Sequence, residues 1–455
     1  MHAVGKKQLT SIVMAAFTIL HSGAHGQEVA PLHLNLAESV ALALEYNESL
    51  QTARREQSKA QQQIREARAA ALPQVDASFD YARNWKLPTF VFDTPTGPEQ
   101  VKIGTDYDFA GVLSLRQPLY TSGKVGAGLQ VARLFAAAAA EQVREREQEV
   151  RSVVEQAFYD LLLSRELVRV SDQALVRARA NLARVQSLRQ GGRVAEYDLL
   201  RARVQVSQMI PDSLRARNQL ELAAMTFKDA VGIDLEQQVE VAGSFRQETA
   251  LDLDAAKDLV RLGWQRRPEL RQAEHQVEMF QRAEKIARAE SRPSLDLYVD
   301  GRLQVQSREF SFWEEEARKS WTTGLTVTLP LFDGFRTGAQ VAQVREDERR
   351  ARLLTAQLKR RIQLQIRQAQ LNLQEGEARI AAHRDALGQA EAGLRLATSR
   401  YGGGAGTQLE ILDAQLALTR AQTDLARARR DRAVALVRLE VAVGVMGASP
   451  GSGKE

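Results

Sequence analysis

The chain has 455 residues, 44% hydrophobic but only 6% aromatic, a composition that favours helices packed side by side over one mixed core. Its 62 basic and 57 acidic residues leave a net charge of +5 with the signs interleaved, so charge gives no case for nucleic acid as a partner. The absence of cysteine excludes disulfides, thiolate metal sites and a lipid anchor on an N-terminal cysteine.

Lys6 and Lys7 precede the apolar run "LTSIVMAAFTIL" and then Ala24-His25-Gly26, the pattern of a cleaved secretory signal over residues 1–26. That run is too short to span a bilayer, and no later stretch approaches eighteen apolar residues. A secreted chain of this kind either stays free or enters a membrane as strands.

The first unit, residues 27–232, opens with a helix and then alternates. Val75, Ala77, Phe79 and Tyr81 alternate with Asp76, Ser78 and Asp80; Tyr107, Phe109, Leu113 and Leu115 alternate with Asp108, Ser114 and Arg116. This predicts a β-hairpin over 74–118 with a long connection at 86–104. "PLYTSGKVGAG" (118–128) then opens a proline-free helical stretch reaching residue 190, roughly 100 Å long at 1.5 Å per residue. The break Gly191, Gly192, Arg193, Val194, Ala195 reads as the tip of an antiparallel helical hairpin. Pro211 is expected to kink or end the returning helix, which closes on "AVG" at 230–232.

The second unit, residues 233–446, repeats this plan, with a short tail at 447–455. A helix is again followed by a predicted hairpin, now over 294–331, whose strands contain Leu295, Leu297, Val299, Leu303 and Val305, then Trp321, Leu325, Val327 and Leu329. "PLFDGFRTGAQ" (330–340) lies 212 positions after "PLYTSGKVGAG", and the same shift places Gly403 on Gly191 and the second "AVG" on the first. The second tip is Gly402, Gly403, Gly404, Ala405, Gly406. Seven-residue seams agree: Val154, Leu161, Val168, Leu175 and Leu182 in one copy, Ile366, Leu373, Ile380, Leu387 and Leu394 in the other. Such spacing marks helices that pack lengthwise in a left-handed coil.

Four alternating segments of about ten residues each match the length of membrane-crossing strands. Four strands cannot close around a lumen, and open edges are not tolerated in lipid, so copies must join. Eight, twelve or sixteen strands all satisfy this argument. The six histidines are scattered, and "SGKVGAG" lacks the spacing of a phosphate loop, so no enzyme and no cofactor is expected. A soluble, secreted coiled-coil structural or adaptor protein is the competing reading, because it would share the seams and hairpins.

The duplication, the two strand-to-helix joints, the tip "RYGGGAGTQLEILDAQ" (400–415) and the closing "VAVG" (441–444) together resemble the TolC-like outer-membrane efflux proteins over about residues 34–446. The resemblance implies a mainly α fold with membrane β: a trimeric twelve-stranded outer-membrane β-barrel, four strands per chain, continued by a long periplasmic α-helical barrel. It implies a homotrimer in the outer membrane of a Gram-negative bacterium, working with a periplasmic adaptor and an inner-membrane pump in efflux or type I secretion. By the same resemblance Glu410 and Asp413 ring the periplasmic entrance, and Tyr401 and Asp198 help to hold it shut. The glycine tips 191–195 and 402–406 are the expected adaptor contacts. The family's arginine near the second tip is replaced by Gly406, and Arg201, the repeat counterpart of Asp413, is the candidate substitute partner.

Overall fold

The computed structural model describes residues 32–95, 97–246, 256–310 and 316–446; the expected signal segment and C-terminal tail lie outside the described residues. The first unit runs β1 (Leu32–Leu34), α1 (Leu36–Tyr46), α2 (Glu48–Ala69), β2 (Gln74–Arg83), β3 (Thr89–Thr94), β4 (Gly97–Lys102), β5 (Tyr107–Tyr120), α3 (Lys124–Gln190) and α4 (Glu196–Val231). The second runs β6 (Val239–Val241), α5 (Ala256–Arg266), α6 (Pro268–Ala289), β7 (Ser294–Ser307), β8 (Arg318–Thr328), α7 (Arg336–Gly402) and α8 (Gln408–Val443). α3 and α7 have 67 residues each and α4 and α8 have 36 each, both pairs beginning 212 positions apart.

The joints between strand and long helix share one backbone device. Ser122 and Gly123 both have positive φ (49° and 83°), and so do Gly334 and Phe335 (65° and 66°). Two successive left-handed residues turn the chain sharply, and each copy places glycine, which pays no Cβ penalty there, at one of the two positions. Side chains then hold the turn: Ser122 Oγ donates to the Pro293 carbonyl at 2.6 Å, and Asp333 Oδ2 accepts from the Thr337 amide at 2.9 Å.

The expected seams are the packed faces. Val154, Leu161, Ile366 and Leu373 are buried, and the remaining seam residues are at least half-buried. Near the sheet the helices lie side by side in the order α2, α3, α6, α7; toward the tips the order is α4, α3, α8, α7. A core around Phe158, Tyr159, Phe227 and Leu50 joins the two units at mid-height, with the Phe158 and Phe227 rings edge to face at 6.0 Å. There the segment 242–246 straps across α3 and α8. Arg246 grips Glu440 with two bonds of 3.1 and 2.5 Å, and Arg432 donates to the Arg246 carbonyl at 3.0 Å.

One sheet, ordered β2-β5-β7-β8 and antiparallel throughout, joins the hairpins of the two units through β5 and β7. Its register sorts the side chains. Across the sheet Val75 meets Leu115, Val299 and Thr323, and Ala77 meets Leu113, Gly301 and Trp321, whereas Asp76 meets Ser114, Asp300 and Thr322 on the other face. One face is therefore apolar and the other polar, as a barrel between lipid and a wet lumen requires. Much of the apolar face is open, Phe79, Trp321, Leu325 and Val327 each being more than three-fifths exposed, whereas Phe109 and Val305 on the same face are buried where Phe310 packs on Tyr81, Tyr107 and Phe109. No helix among the described residues is long and apolar enough to cross a membrane.

Two expectations need correction in part. Of the two outcomes expected for Pro211, a kink or an end, the end is not seen: Pro211 lies inside α4. Proline removes one hydrogen bond, and the neighbouring turn is tied to α3 by Ser213 and Arg217, which donate to Asp172 at 2.7 and 3.1 Å. The connection 86–104 is not an open loop but carries its own hairpin, β3 with β4, in which Phe90 faces Val101. The remaining strand boundaries differ from the expected ones by a few residues, with β8 ending at Thr328.

Candidate functional site at the helical hairpin tips

The two tips close alike. Gly191 and Gly403 cap the long helices, and Gly192 and Gly404 follow with φ of 71° and 78°. Most tip residues are exposed; Val194 and Gly406 are half-buried, and Gly402 still belongs to α7. The second tip is better braced. Thr407 caps α8 by accepting from the Glu410 amide at 3.3 Å, and Arg400 donates to the Ala405 carbonyl at 3.2 Å.

Gly406 is confined by its own tip. A Cβ there would lie 2.9 Å from the Tyr401 amide nitrogen and 3.1 Å from the Arg400 carbonyl carbon, both backbone. An arginine at this position is incompatible with the tip as it stands. A different arginine approaches the tip carboxylate: Arg400 Nε lies 3.8 Å from Glu410 Oε2. Sequence reasoning missed Arg400, because the residue sits six positions before the place the family pattern assigns.

The Asp198 carboxylate, from the first unit, is within electrostatic reach of Tyr401 in the second. The Tyr401 hydroxyl is buried without a hydrogen-bond partner among the described residues. Burial pushes its pKa up, and the nearby Asp198 carboxylate pushes in the same direction against Arg184. No hydrogen bond joins the two.

Arg201 and Asp413 line one groove of about 440 Å³, together with Leu200, Val204, Leu412 and Leu416. Within the chain they form no ion pair. Arg201 donates instead to the Tyr197 hydroxyl at 2.8 Å, with its guanidinium 4.4 Å from the centre of the same ring. Asp413 is exposed and Glu410 half-buried. Above this level Gln205 donates to Gln415 at 2.8 Å, and Arg177 reaches Thr419 and Gln422 at 3.3 and 3.4 Å. These ties between α4, α3 and α8 were invisible in the sequence, since the partners lie in different units and share no spacing rule. Among the described residues, no group of three or more His, Asp or Glu is placed to hold a metal ion.

The family model described as "Outer membrane efflux protein" matches residues 40–232 and 259–445, one segment in each unit. Alkaline protease secretion protein AprF of Pseudomonas aeruginosa is 24% identical over 418 residues, covering 91% of this chain and 85% of the relative. Outer membrane protein OprJ of the same organism is 27% identical over 419 residues, with 90% and 84% covered. The crystal structure of the outer membrane protein VceC from Vibrio cholerae superposes with a TM-score of 0.75 at 20% identity, over 90% of this chain and 96% of that one. The chain belongs to the outer membrane efflux protein family. It is an outer-membrane channel of the efflux and secretion class with a large periplasmic helical part, and the soluble coiled-coil reading is set aside.

Proposed function

We propose that three copies of this chain close head to tail into one duct, which carries substrate passively from a periplasmic adaptor and inner-membrane pump to the exterior, with no catalytic step of its own. One observation carries the closure: sheet and helices end on the same two open edges. β2 lies at one border of the sheet with α2 and α4 at the matching border of the helices; β8 and α7 lie at the other. Both border strands are antiparallel to their neighbours, so β8 of one copy meets β2 of the next antiparallel, and no edge is left in lipid. The border helices carry unpartnered apolar residues, Leu200, Val204 and Leu214 on α4 and Leu353, Leu364 and Leu371 on α7.

The lumen argues against two copies, and the family resemblance gives three. An eight-stranded barrel is filled by its own side chains, so two copies leave no duct, and twelve strands are the smallest closure here that does. Glu410 and Asp413 of three copies would then surround the entrance, favouring cations and responding to divalent ions. Tyr401, Asp198 and Arg201 are read as its closing contacts. The tips at 191–195 and 402–406 are read as the seat of the adaptor, where bare backbone admits a partner helix.

The absence of cysteine makes the test clean. A chain carrying Ser78→Cys on β2 and Thr322→Cys on β8 is treated in membranes with a bifunctional maleimide. A ladder of linked chains ending at three is expected. A product that stays at one chain, or ends at two, sinks the closure.

A further inference from the structure

The apolar face of the sheet has a charge pattern that lumen and closure do not explain. On the polar face Asp76, Asp80, Asp108, Arg116, Asp300 and Arg302 mix both signs. The apolar face has no carboxylate on any of its four strands. It carries two charges, Arg83 and Lys319, and both are cations.

Their places are specific. Arg83 is the last residue of β2 and Lys319 the second of β8, so both sit at the strand ends joined by loops, away from the helices and therefore toward the exterior. A cation facing lipid costs about 2–4 kcal/mol at mid-bilayer but roughly 0–1 kcal/mol near the interface, which permits it only at such ends. Both are exposed, and neither has an ion pair among the described residues. Arg83 is held flat, its guanidinium 3.9 Å from the centre of the Trp85 ring and 5.4 Å from that of Tyr107. Below Lys319 on the same face stands Trp321, 72% exposed. The two cations occupy the two border strands, one on each, so closure of the ring brings Arg83 of one copy and Lys319 of the next to the same seam.

We infer that Arg83 and Lys319 form, at each seam between copies, an outward-facing site for the phosphate of a phosphorylated lipid of the outer leaflet. The acyl chains would lie on the apolar rows of Phe79, Trp321 and Leu325, and the phosphate would bridge the two cations with charge-assisted hydrogen bonds. The aromatic rings of Trp85 and Tyr107 set the height, as interfacial aromatics do. The lipid would then tie neighbouring copies together from outside. This inference rests on the proposed closure, and its test separates the two.

The experiment is native mass spectrometry of the detergent-purified full chain at low salt, titrated with bisphosphorylated lipid A. Wild-type oligomer binds the lipid; Arg83→Gln/Lys319→Gln binds it roughly thirtyfold more weakly, two surface cations at about 1 kcal/mol each. The charge-keeping pair Arg83→Lys/Lys319→Arg retains binding and serves if the glutamine pair does not assemble. Lipid A stripped of phosphate binds wild type no better than the bisphosphorylated lipid binds the glutamine pair. Equal binding by wild type and the glutamine pair, or equal binding of both lipids, overturns the site while leaving the duct standing. Displacement by inorganic phosphate alone overturns the lipid assignment in favour of a free phosphate site. A wild-type protein that is monomeric in detergent overturns the closure itself.

Discussion

Gly232 and Gly444, 212 positions apart, end the two returning helices in the same left-handed conformation and press against matching breaks in the chain. A Cβ on Gly232 would lie 3.5 Å from the Tyr46 carbonyl carbon, where α1 gives way to α2; one on Gly444 would lie 3.0 Å from that of Arg266, where α5 gives way to α6. The repeated "AVG" is thus a helix cap and a packing contact at once. Gly232→Ala is expected to cost about 1 kcal/mol through the left-handed backbone alone. Gly444→Ala should cost about 1–2 kcal/mol more, because backbone must shift. Thermal unfolding of the purified oligomer checks the order of the two midpoints; a Gly444→Ala protein as stable as Gly232→Ala would contradict the packing role.

Glu155, on α3, is a strongly perturbed carboxyl. Burial first, and then the charge of Glu440, raise its pKa from 4.5 to about 7, against Arg246 and Arg151. Tyr159 one turn further is also pushed up, chiefly by burial. Between pH 4.5 and 7 the folded chain therefore holds a proton that the unfolded chain has lost, and stability falls as pH rises through that window, by about 3 kcal/mol at most. Glu155→Gln should flatten this slope and unfold later than wild type at pH 8. Melting curves across pH 5–8 decide it, and an unchanged slope in the variant would refute the assignment.

Gly406→Ala is expected to loosen the second tip, since its Cβ meets backbone at 2.9 Å, while Gly403→Ala, whose nearest contact is 3.6 Å, should be tolerated. Limited proteolysis at residues 402–407 reads the difference. Equal resistance in both variants would show that the tip relaxes at no cost.

Arg400 lies 3.8 Å from Glu410 across an exposed setting, where an ion pair contributes little to stability but still offsets the carboxylate's field. Arg400→Gln should leave the melting temperature nearly unchanged and sharpen cation preference in conductance. A large fall in melting temperature with unchanged selectivity would make Arg400 a structural brace instead.

Much of this architecture was legible in the sequence because its signals are periodic. Seven-residue seams, alternating strands and paired glycine breaks survive in the sequence whatever the tertiary contacts. What was not legible depends on contacts between distant segments. β1 pairs with β6 through three residues, Leu32–Leu34 with Val239–Val241, too short to show a pattern. Pro211 reads as a kink or an end of its helix; the helix runs on through it, and beside it Ser213 and Arg217 tie to Asp172 on α3. At the tips, Arg201 was matched to Asp413 by repeat symmetry, while within the chain a tyrosine one turn away takes it first. The order of the borders, on which closure depends, appears only when strands and helices are seen together.

The measurement that bears most directly on the account is single-channel conductance of the detergent-purified oligomer in a planar bilayer, wild type beside Glu410→Ala/Asp413→Ala. Small, cation-selective currents blocked by divalent ions, with selectivity and block lost in the double variant, are the predicted result. Currents whose selectivity and divalent block are unchanged by removing both carboxylates would contradict an acidic entrance at the hairpin tips.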